Sequence, residues 1–153
     1  ADAETGVKKV VYENGYYYYT IDGVKQYAGI YELDGEYYYA KADGKLYANN
    51  NSVWIDAVTA ESFGGESGYY AFDAEAKLVK TGFAEGKGYT YYYDNLVKVK
   101  GFTKLGEDYY FFNRSSGAMY VNSRLWVGGD NAYGLKSGYY YFGADGKCTG
   151  MVD

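Results

Sequence analysis

The side chains of this sequence that could do chemistry are mainly carboxylates and aromatic rings, because histidine is absent and cysteine occurs once, at Cys148. Without histidine, no Ser-His or Cys-His pair can activate a nucleophile, and no metal site with ordinary His or Cys ligation can be assembled. Among the 20 acidic residues, four Asp directly precede a glycine, where turn formation explains them: Asp22, Asp34, Asp43 and Asp145. We therefore expect no catalytic residues, no metal site, no cofactor and no enzyme activity.

Tyrosine is the abundant candidate for ligand contact. The chain contains 24 Tyr, 7 Phe and 2 Trp, so most of its rings carry a hydroxyl that needs water or a partner. Such rings suit a thin structure in which few side chains lie far from solvent. Because cross-strand aromatic pairs also stabilise sheets, a structural role is the first expectation for any single tyrosine.

The tyrosines occur in a repeated phrase, a run of aromatic residues followed by a tight turn. Its clearest copy is Tyr139-Tyr140-Tyr141-Phe142-Gly143-Ala144-Asp145-Gly146-Lys147. Copies begin at Tyr16, Tyr37, Tyr69, Tyr89, Tyr109 and Tyr139. The differences between these numbers are 21, 32, 20, 20 and 30, which indicates a unit of about twenty residues with two longer spacers, 49–68 and 122–137.

A larger duplication contains these units. The matching pairs are Trp54 with Trp126 and Gly29 with Gly101, each 72 residues apart, and Tyr69 with Tyr139, 70 apart. We predict two continuous blocks of about seventy residues with three units each. The first block is 1–82, with a loose N-terminal extension over 1–7, and the second block is 83–153.

The turn residues predict β-hairpins. Proline is absent, glycine occurs 22 times, and Asp-Gly is a strong signal for a two-residue hairpin turn. Tyr16–Ile21 reads as a strand by its aromatic and β-branched content, and Val24–Leu33 as its return, interrupted at Gly29. Within the four tyrosines that begin at Tyr16, alternation along a strand predicts two rings inside and two outside.

Later hairpins and the spacers are less regular. We predict return strands over 77–80 and 97–100, which end at Gly82-Phe83 and Gly101-Phe102. In the first spacer, residues 49–52 read as a turn or loop, and residues 57–63 as a helical turn or an irregular loop. Because a single hairpin is marginal in water, the hairpins must stack on one another, which predicts an all-β fold of tandem β-hairpin repeats.

Charge and hydropathy exclude some partners. A net charge of −5 without long basic runs argues against nucleic acid, whose phosphates need a positive surface. No apolar stretch approaches the roughly 18 residues of a transmembrane helix. The chain starts at Ala1 without a leader, so we expect a mature or excised fragment from which a signal peptide was removed.

The final copy of the phrase, continued through Cys148-Thr149-Gly150, resembles the cell-wall-binding repeat of Gram-positive surface proteins. That repeat has the pattern Trp-Tyr-Tyr-Phe, Asp-Gly-Lys-Met, Thr-Gly-Trp. Choline-binding modules, glucan-binding repeats of streptococcal glucosyltransferases and clostridial toxin repeats belong to the same superfamily. Residues 110–119 and 77–83 match further parts of the pattern, and the resemblance covers about 12–150. Cys148 stands where the pattern has Met, so it is expected to pack as a small apolar side chain.

The resemblance implies a β-hairpin solenoid, here a β-solenoid of two larger copies, that holds its ligand between successive hairpins. In the choline-binding branch, the ligand cage consists of the aromatic after Thr-Gly, the first aromatic of the next phrase, and an aromatic or Met from the adjoining hairpin. Mapped onto this sequence, the resemblance implies one partial cage of Phe83, Tyr89 and Phe102. It implies a second cage of Phe102, Tyr109 and Met119.

The cage tryptophans of the pattern are replaced by Phe or Tyr here, which weakens attraction for choline, whereas sugar rings can stack on tyrosine. The resemblance thus implies a non-catalytic, secreted or cell-surface module that binds cell-wall polysaccharide, teichoic acid or glucan. Alternatives are a structural stalk or spacer and a host-facing protein-binding repeat. Self-association through an exposed terminal hairpin is a further expectation, because unpaired strand edges invite partners.

Overall fold

The computed structural model describes residues 6–86 and 88–152. Across these residues the chain forms fifteen β-strands, one four-residue α-helix and one turn of 3-10 helix. Residues 1–5 of the predicted loose extension lie outside the described ranges. Within those ranges, no helix combines the length and the apolar character that crossing a bilayer requires.

The strands follow one another closely along the chain. In the first half they are β1 (Lys8–Glu13), β2 (Tyr16–Ile21), β3 (Val24–Lys25), β4 (Gly29–Leu33), β5 (Glu36–Ala40), β6 (Asn50–Ile55) and β7 (Gly68–Phe72). In the second half they are β8 (Gly82–Ala84), β9 (Tyr91–Asp94), β10 (Val97–Lys98), β11 (Gly101–Leu105), β12 (Asp108–Phe112), β13 (Ser123–Val127), β14 (Gly138–Phe142) and β15 (Cys148–Val152). The helix α1 covers Ala57–Ala60.

The fifteen strands form six small antiparallel sheets, each built from strands that are neighbours in the sequence. Three sheets have three strands, β1-β2-β3, β8-β9-β10 and β13-β14-β15, and three are two-stranded hairpins, β4-β5, β6-β7 and β11-β12. None of the described sheets closes into a barrel. The predicted all-β fold of tandem hairpins is confirmed.

Aromatic rings join successive sheets. The pairs and their centroid distances are Tyr19–Tyr31 at 4.9 Å, Tyr39–Phe72 at 6.4 Å, Phe83–Tyr110 at 5.3 Å, Tyr92–Phe112 at 6.2 Å and Phe102–Phe142 at 6.3 Å. Between the third and fourth sheets, Tyr93 packs with Ala71 and Ala84, and its hydroxyl donates to the Tyr69 carbonyl over 3.2 Å. Each sheet therefore covers apolar surface of its neighbour.

Two of the four Asp-Gly turns have the backbone that a two-residue type I′ hairpin needs, whereas Asp43 and Asp145 lack the positive φ. Asp22 and Gly23 have φ of 52° and 81°, and Asp34 and Gly35 have φ of 52° and 84°. Positive φ at both central residues is the signature of the type I′ turn, which matches the twist of paired strands. These turns close the β2–β3 and β4–β5 hairpins. The predicted return strand over 24–33 was wrong, because only Val24–Lys25 pairs with β2 and Gly29–Leu33 pairs with β5.

Two strand predictions were wrong at their ends. Gly82-Phe83 and Gly101-Phe102 begin β8 and β11 instead of ending return strands. The return segment 77–80 contributes only an isolated bridge between Phe72 and Leu78. The physical reason is that Gly82 and Gly101, with φ of 140° and 92°, redirect the chain from one hairpin into the next.

The predicted alternation of the first tyrosine run was also wrong. Tyr18 and Tyr19 are adjacent in β2, yet their exposed fractions are 9% and 1%, whereas Tyr16 is 45% exposed. Tyr19 packs on Tyr31 of the next hairpin. The opposite face is covered as well, because the ammonium of Lys25 lies 4.0 Å from the centroid of the Tyr18 ring.

The first spacer forms a hairpin with a long loop. Its strand β6 begins at Asn50, so the loop predicted over 49–52 is wrong from that residue onward. A bulge between Asn50 and Val53 buries Asn51, whose Nδ2 donates to the Tyr89 carbonyl over 2.7 Å. The helical turn that was one option for 57–63 is present, and the Asp56 carboxylate caps it by accepting from the Thr59 amide.

The two blocks have matching elements. Strands β4 and β5 match β11 and β12 at a spacing of 72 residues, which follows from their ranges. The spacer hairpins β6–β7 and β13–β14 pair Trp54 with Tyr69 and Trp126 with Tyr139 at the same position of the register. The division at 82/83 remains a prediction.

Buried tyrosine hydroxyls should make the fold sensitive to alkali. Burial raises the pKa of six tyrosines, namely Tyr19, Tyr38, Tyr39, Tyr70, Tyr93 and Tyr110. A tyrosine with a raised pKa ionises first in the unfolded chain, so its stabilising effect is complete below about pH 10 and is lost as pH rises further. We expect the urea midpoint to be flat near neutral pH and to fall above about pH 10.

The variant Tyr93→Phe isolates one of these hydroxyls. It should lose about 1 kcal/mol at neutral pH with its hydrogen bond, and its decline in alkali should be shallower by about 1.4 kcal/mol per pH unit. Tyr12→Phe, at an exposed ring, is the control and should follow the unmodified chain. A urea midpoint that does not change between pH 9 and about 11 would contradict the expectation.

Candidate functional site

Two exposed Trp–Tyr pairs stand on the outer faces of the spacer hairpins. Trp54 and Tyr69 have ring centroids 5.2 Å apart and are 55% and 56% exposed. Trp126 and Tyr139 repeat this geometry, with centroids 5.2 Å apart and exposed fractions of 57% and 39%. Both pairs are edge-to-face, with interplanar angles of 68° and 74°.

Strand alternation places these rings outward. In β6 the neighbours of Trp54, Val53 and Ile55, are buried in the core, so Trp54 must point to solvent. The same alternation leaves Trp126 exposed beside the buried Val127. Sequence reasoning missed both tryptophans as contact residues. The Val-Trp-Ile triplet, with apolar residues on both sides of the ring, was a signal that could have identified them.

A groove of about 330 Å³ lies between the β11–β12 hairpin and β13 with its following loop. We call it the second-block groove. Its lining includes the aromatic residues Phe102, Phe111 and Trp126 and the charged residues Lys100, Arg114 and Asp130. Predicted site residue Phe102 and exposed Trp126 thus share one concave surface.

The loop that closes this groove is organised by Asn131. Its side-chain nitrogen donates to the carbonyls of Gly128 and Leu135, both over 2.8 Å. Its side-chain oxygen accepts from the amides of Tyr133 and Leu135, both over 3.0 Å. Because both ends of the amide are used within the loop, Asn131 is a positioning residue.

Two residues of the second predicted cage lie together. Phe102 and Tyr109 lie parallel, with centroids 5.6 Å apart and an interplanar angle of 9°. Tyr133 from the Asn131 loop packs edge-on against both rings, and its hydroxyl accepts from the Lys104 amide over 3.1 Å. Tyr133 was not among the predicted site residues.

Met119, the third residue of that predicted cage, contacts other parts of the chain. Its amide donates to the Thr90 carbonyl over 2.8 Å, which ties its segment to the preceding sheet. Its side chain packs against Gly146, where an added Cβ would collide with it. Neither contact involves Phe102 or Tyr109, and the place of Met119 in that cage remains a prediction.

The first predicted cage is distributed over different contacts. Phe83 packs edge-on against Tyr92 at 4.9 Å and Tyr110 at 5.3 Å. Tyr89 is largely exposed, and its carbonyl accepts from the buried Asn51. A ligand role for Phe83, Tyr89, Phe102, Tyr109 and Met119 remains a prediction.

The chain's own cations lie over several aromatic faces. Lys25 over Tyr18 and Lys98 over Tyr91 both have the ammonium 4.0 Å from the ring centroid. The spacing of 73 residues, from 18 to 91 and from 25 to 98, makes them a repeated contact. Since a cation over a ring is attracted by its quadrupole, a lysine occupies these faces as a bound quaternary ammonium would.

The first block contains an equivalent groove, which we call the first-block groove. Its lining includes Ala28, Gly29, Tyr39 and Ala42, which lie 72 residues before Lys100, Gly101, Phe111 and Arg114 of the second-block groove. The fold therefore forms a concave surface at the same place in each block, with different side chains in each.

Among the described residues, no group of three or more His, Cys, Asp or Glu is placed to hold a metal ion. The acidic residues of the Asp-Gly turns bind backbone instead, as when the Asp43 and Asp145 carboxylates accept from the amides of Lys45 and Lys147. What the arrangement offers chemically is aromatic surface, with charged groups beside it.

Solved structures with a similar fold exist. A multimodular pneumococcal cell-wall endolysin from phage Cp-1, complexed with choline, aligns with 94% of this chain at 16% identity and a TM-score of 0.56. The Cpl-1 endolysin complexed with a peptidoglycan analogue aligns with 93% of this chain at 17% identity and a TM-score of 0.55. Truncated alternansucrase from Leuconostoc mesenteroides aligns with 94% at 21% identity and 0.54.

This likeness confirms that the chain has the fold of the aligned parts of these endolysins and of alternansucrase. The chain spans 37% of each endolysin chain and 11% of the alternansucrase chain. No family model matches the sequence, and no curated protein matches it.

Asn131→Ala tests whether this residue shapes the second-block groove. Loss of four hydrogen bonds should lower the free energy of unfolding by about 2 kcal/mol or more, since a net hydrogen bond contributes about 1 kcal/mol. Ser137→Ala, at an exposed position of the same loop, is the control and should change it by less than about 0.5 kcal/mol. Equal urea midpoints for the two variants would show that Asn131 does not hold the loop.

Proposed function

We propose that this chain is a non-catalytic carbohydrate-binding module of a secreted or surface protein of a Gram-positive bacterium. Its ligands are polymers of the cell wall, such as wall polysaccharide or teichoic acid, or a glucan. The observation that carries the proposal is the repetition of an exposed Trp–Tyr pair with the same geometry in both blocks. Sugar rings stack on such faces, and exposed apolar surface of this kind marks contact sites.

The surroundings of the pairs support a polar ligand. Trp126 borders the second-block groove, where Lys100, Arg114 and Asp130 offer charged hydrogen-bonding groups beside aromatic walls. Ligand sites commonly combine apolar walls with a few polar groups that fix orientation. The similar solved endolysin structures contain choline and a peptidoglycan analogue, which supports a cell-wall ligand here.

A structural stalk is the second candidate, since many rings already pack between sheets. A stalk accounts for each Trp–Tyr pair as a stabilising cross-strand contact, but it does not account for the position of Trp126 at the border of a groove. A protein-binding surface would place an aromatic patch on a flat face, whereas Trp126 borders a groove.

Tryptophan fluorescence tests the proposal directly, because both tryptophans of the chain belong to the exposed pairs. Titration with soluble wall polysaccharide or α-glucan should change the emission in a saturable way. Trp54→Ala and Trp126→Ala should each weaken binding by about ten-fold, the usual loss for an aromatic residue at the centre of an interface. Tyr12→Ala, at an exposed ring outside the pairs, should bind like the unmodified chain.

Unchanged affinity of the double variant Trp54→Ala, Trp126→Ala would exclude the pairs as the contact surface. Absence of any saturable change with wall polymers and glucans would favour the stalk. Circular dichroism of each variant, compared with the unmodified chain, separates loss of binding from loss of fold.

Free choline distinguishes the proposal from a choline-binding function. Because Lys25 and Lys98 already occupy aromatic faces, we expect an excess of choline neither to change the tryptophan emission nor to displace a bound glycan. Isothermal titration with choline chloride, with sodium chloride as the matched control, measures this. Saturable heat with choline would contradict the expectation.

A further inference from the structure

The two equivalent grooves differ in charge. At the positions of Ala28 and Ala42 in the first-block groove, the second-block groove has Lys100 and Arg114. The first-block groove contains a lysine of its own, Lys41, but its ammonium lies 5.0 Å from the centroid of the Tyr47 ring. Among the lining residues, the second-block groove therefore has a guanidinium, that of Arg114, and the first-block groove has none.

Packing holds the Arg114 guanidinium in place. Its central carbon lies 5.4 Å from the centroid of the Phe111 ring. Nη1 lies against Gly101, where a Cβ would come within 3.2 Å of it. In the described ranges, the three ion pairs are Lys25–Glu13, Lys45–Asp43 and Lys147–Asp108, and none involves Arg114. Its planar set of N–H donors is therefore available, and such a set matches carboxylate or phosphate geometry.

Asp130 on the loop side of the groove opposes the two cations. Its Oδ1 lies close to Gly128, and both residues belong to the loop that follows β13 and lines the groove. The groove thus carries two positive groups and one negative group within a chain of net charge −5. A locally positive surface on an acidic chain favours anionic ligands at that place.

We propose that the second-block groove binds an anionic saccharide, with its carboxylate or phosphate on Arg114 and Lys100 and its ring beside Trp126. The inference rests on the proposed carbohydrate-binding function and specifies the ligand class of one site. The first-block groove, which lacks the arginine, does not share this preference. The two equivalent grooves thus differ in ligand preference because only the second-block groove has an arginine in its lining.

The test is titration of the full chain with three probes at low and high salt. Oligogalacturonate supplies carboxylates, a glycerol-phosphate polymer supplies phosphates, and isomalto-oligosaccharide is neutral. We expect at least one anionic probe to bind more tightly than the neutral probe, with an affinity that falls as salt increases. The comparison of carboxylate and phosphate probes identifies which acid the groove takes.

Three variants locate the anion. Arg114→Ala should weaken binding of the anionic probe by about ten-fold or more and leave the neutral probe within about two-fold. Asp130→Asn should strengthen anionic binding, because it removes the opposing charge. Arg114→Lys keeps the charge without the planar donors and should fall between Arg114→Ala and the unmodified chain.

Anionic binding that is unchanged in Arg114→Ala, or weakened in Asp130→Asn, would overturn the inference. So would binding of the neutral probe alone, although that result would leave the proposed carbohydrate-binding function intact. If no probe binds and the tryptophan emission does not respond, the inference and the proposed function fail together. The reciprocal variant Ala42→Arg adds a guanidinium to the first-block groove and should not reduce the affinity for any probe.

Discussion

Stacking of aromatic rings between successive hairpins is the interaction on which this structure depends. A two-stranded hairpin has no second layer of its own, so its rings are covered only when another hairpin packs on it. Contacts such as Tyr19–Tyr31 and Phe102–Phe142 provide that cover along the chain. The hydroxyl of tyrosine makes this possible in a thin structure, because each ring can be buried while its oxygen reaches a carbonyl, as Tyr93 reaches Tyr69.

The same constraint explains where ligand surfaces arise. Neighbouring hairpins that pack against one another leave grooves between them. The outward face of each strand remains open to side chains that do not contribute to this packing. Trp126 combines the two features, since it stands on the outer face of β13 and borders a groove. Because stacking fixes the backbone in both blocks, the lining can diverge without loss of fold, as the change from Ala42 to Arg114 illustrates.

Much of the fold could be predicted from the sequence, because its turns are specified locally. Asp22-Gly23 and Asp34-Gly35 form the hairpin turns that their residue types indicate. The role of Gly82 and Gly101 could not be predicted, since a glycine at a strand end can either finish a hairpin or redirect the chain into the next. That choice depends on which sheet the following residues pair with, which is not local information.

The candidate site was less predictable for a similar reason. Phe102 and Tyr109 were predicted together and do lie together, but the contact with Tyr133 depends on a loop fold set by Asn131. The exposed tryptophans could have been found from strand alternation, whereas burial of both Tyr18 and Tyr19 could not. The burial of both rings depends on residues that contact β2 from opposite sides, Tyr31 on Tyr19 and Lys25 on Tyr18.

The most direct test of the central claim is an NMR titration that follows the two indole N–H signals while a cell-wall glycan is added. The account predicts that the signals of Trp54 and Trp126 both shift in a saturable way, while amides of buried residues such as Phe72 stay in place. Binding of the glycan without a shift of either indole signal would contradict it, because the ligand would then contact some other surface.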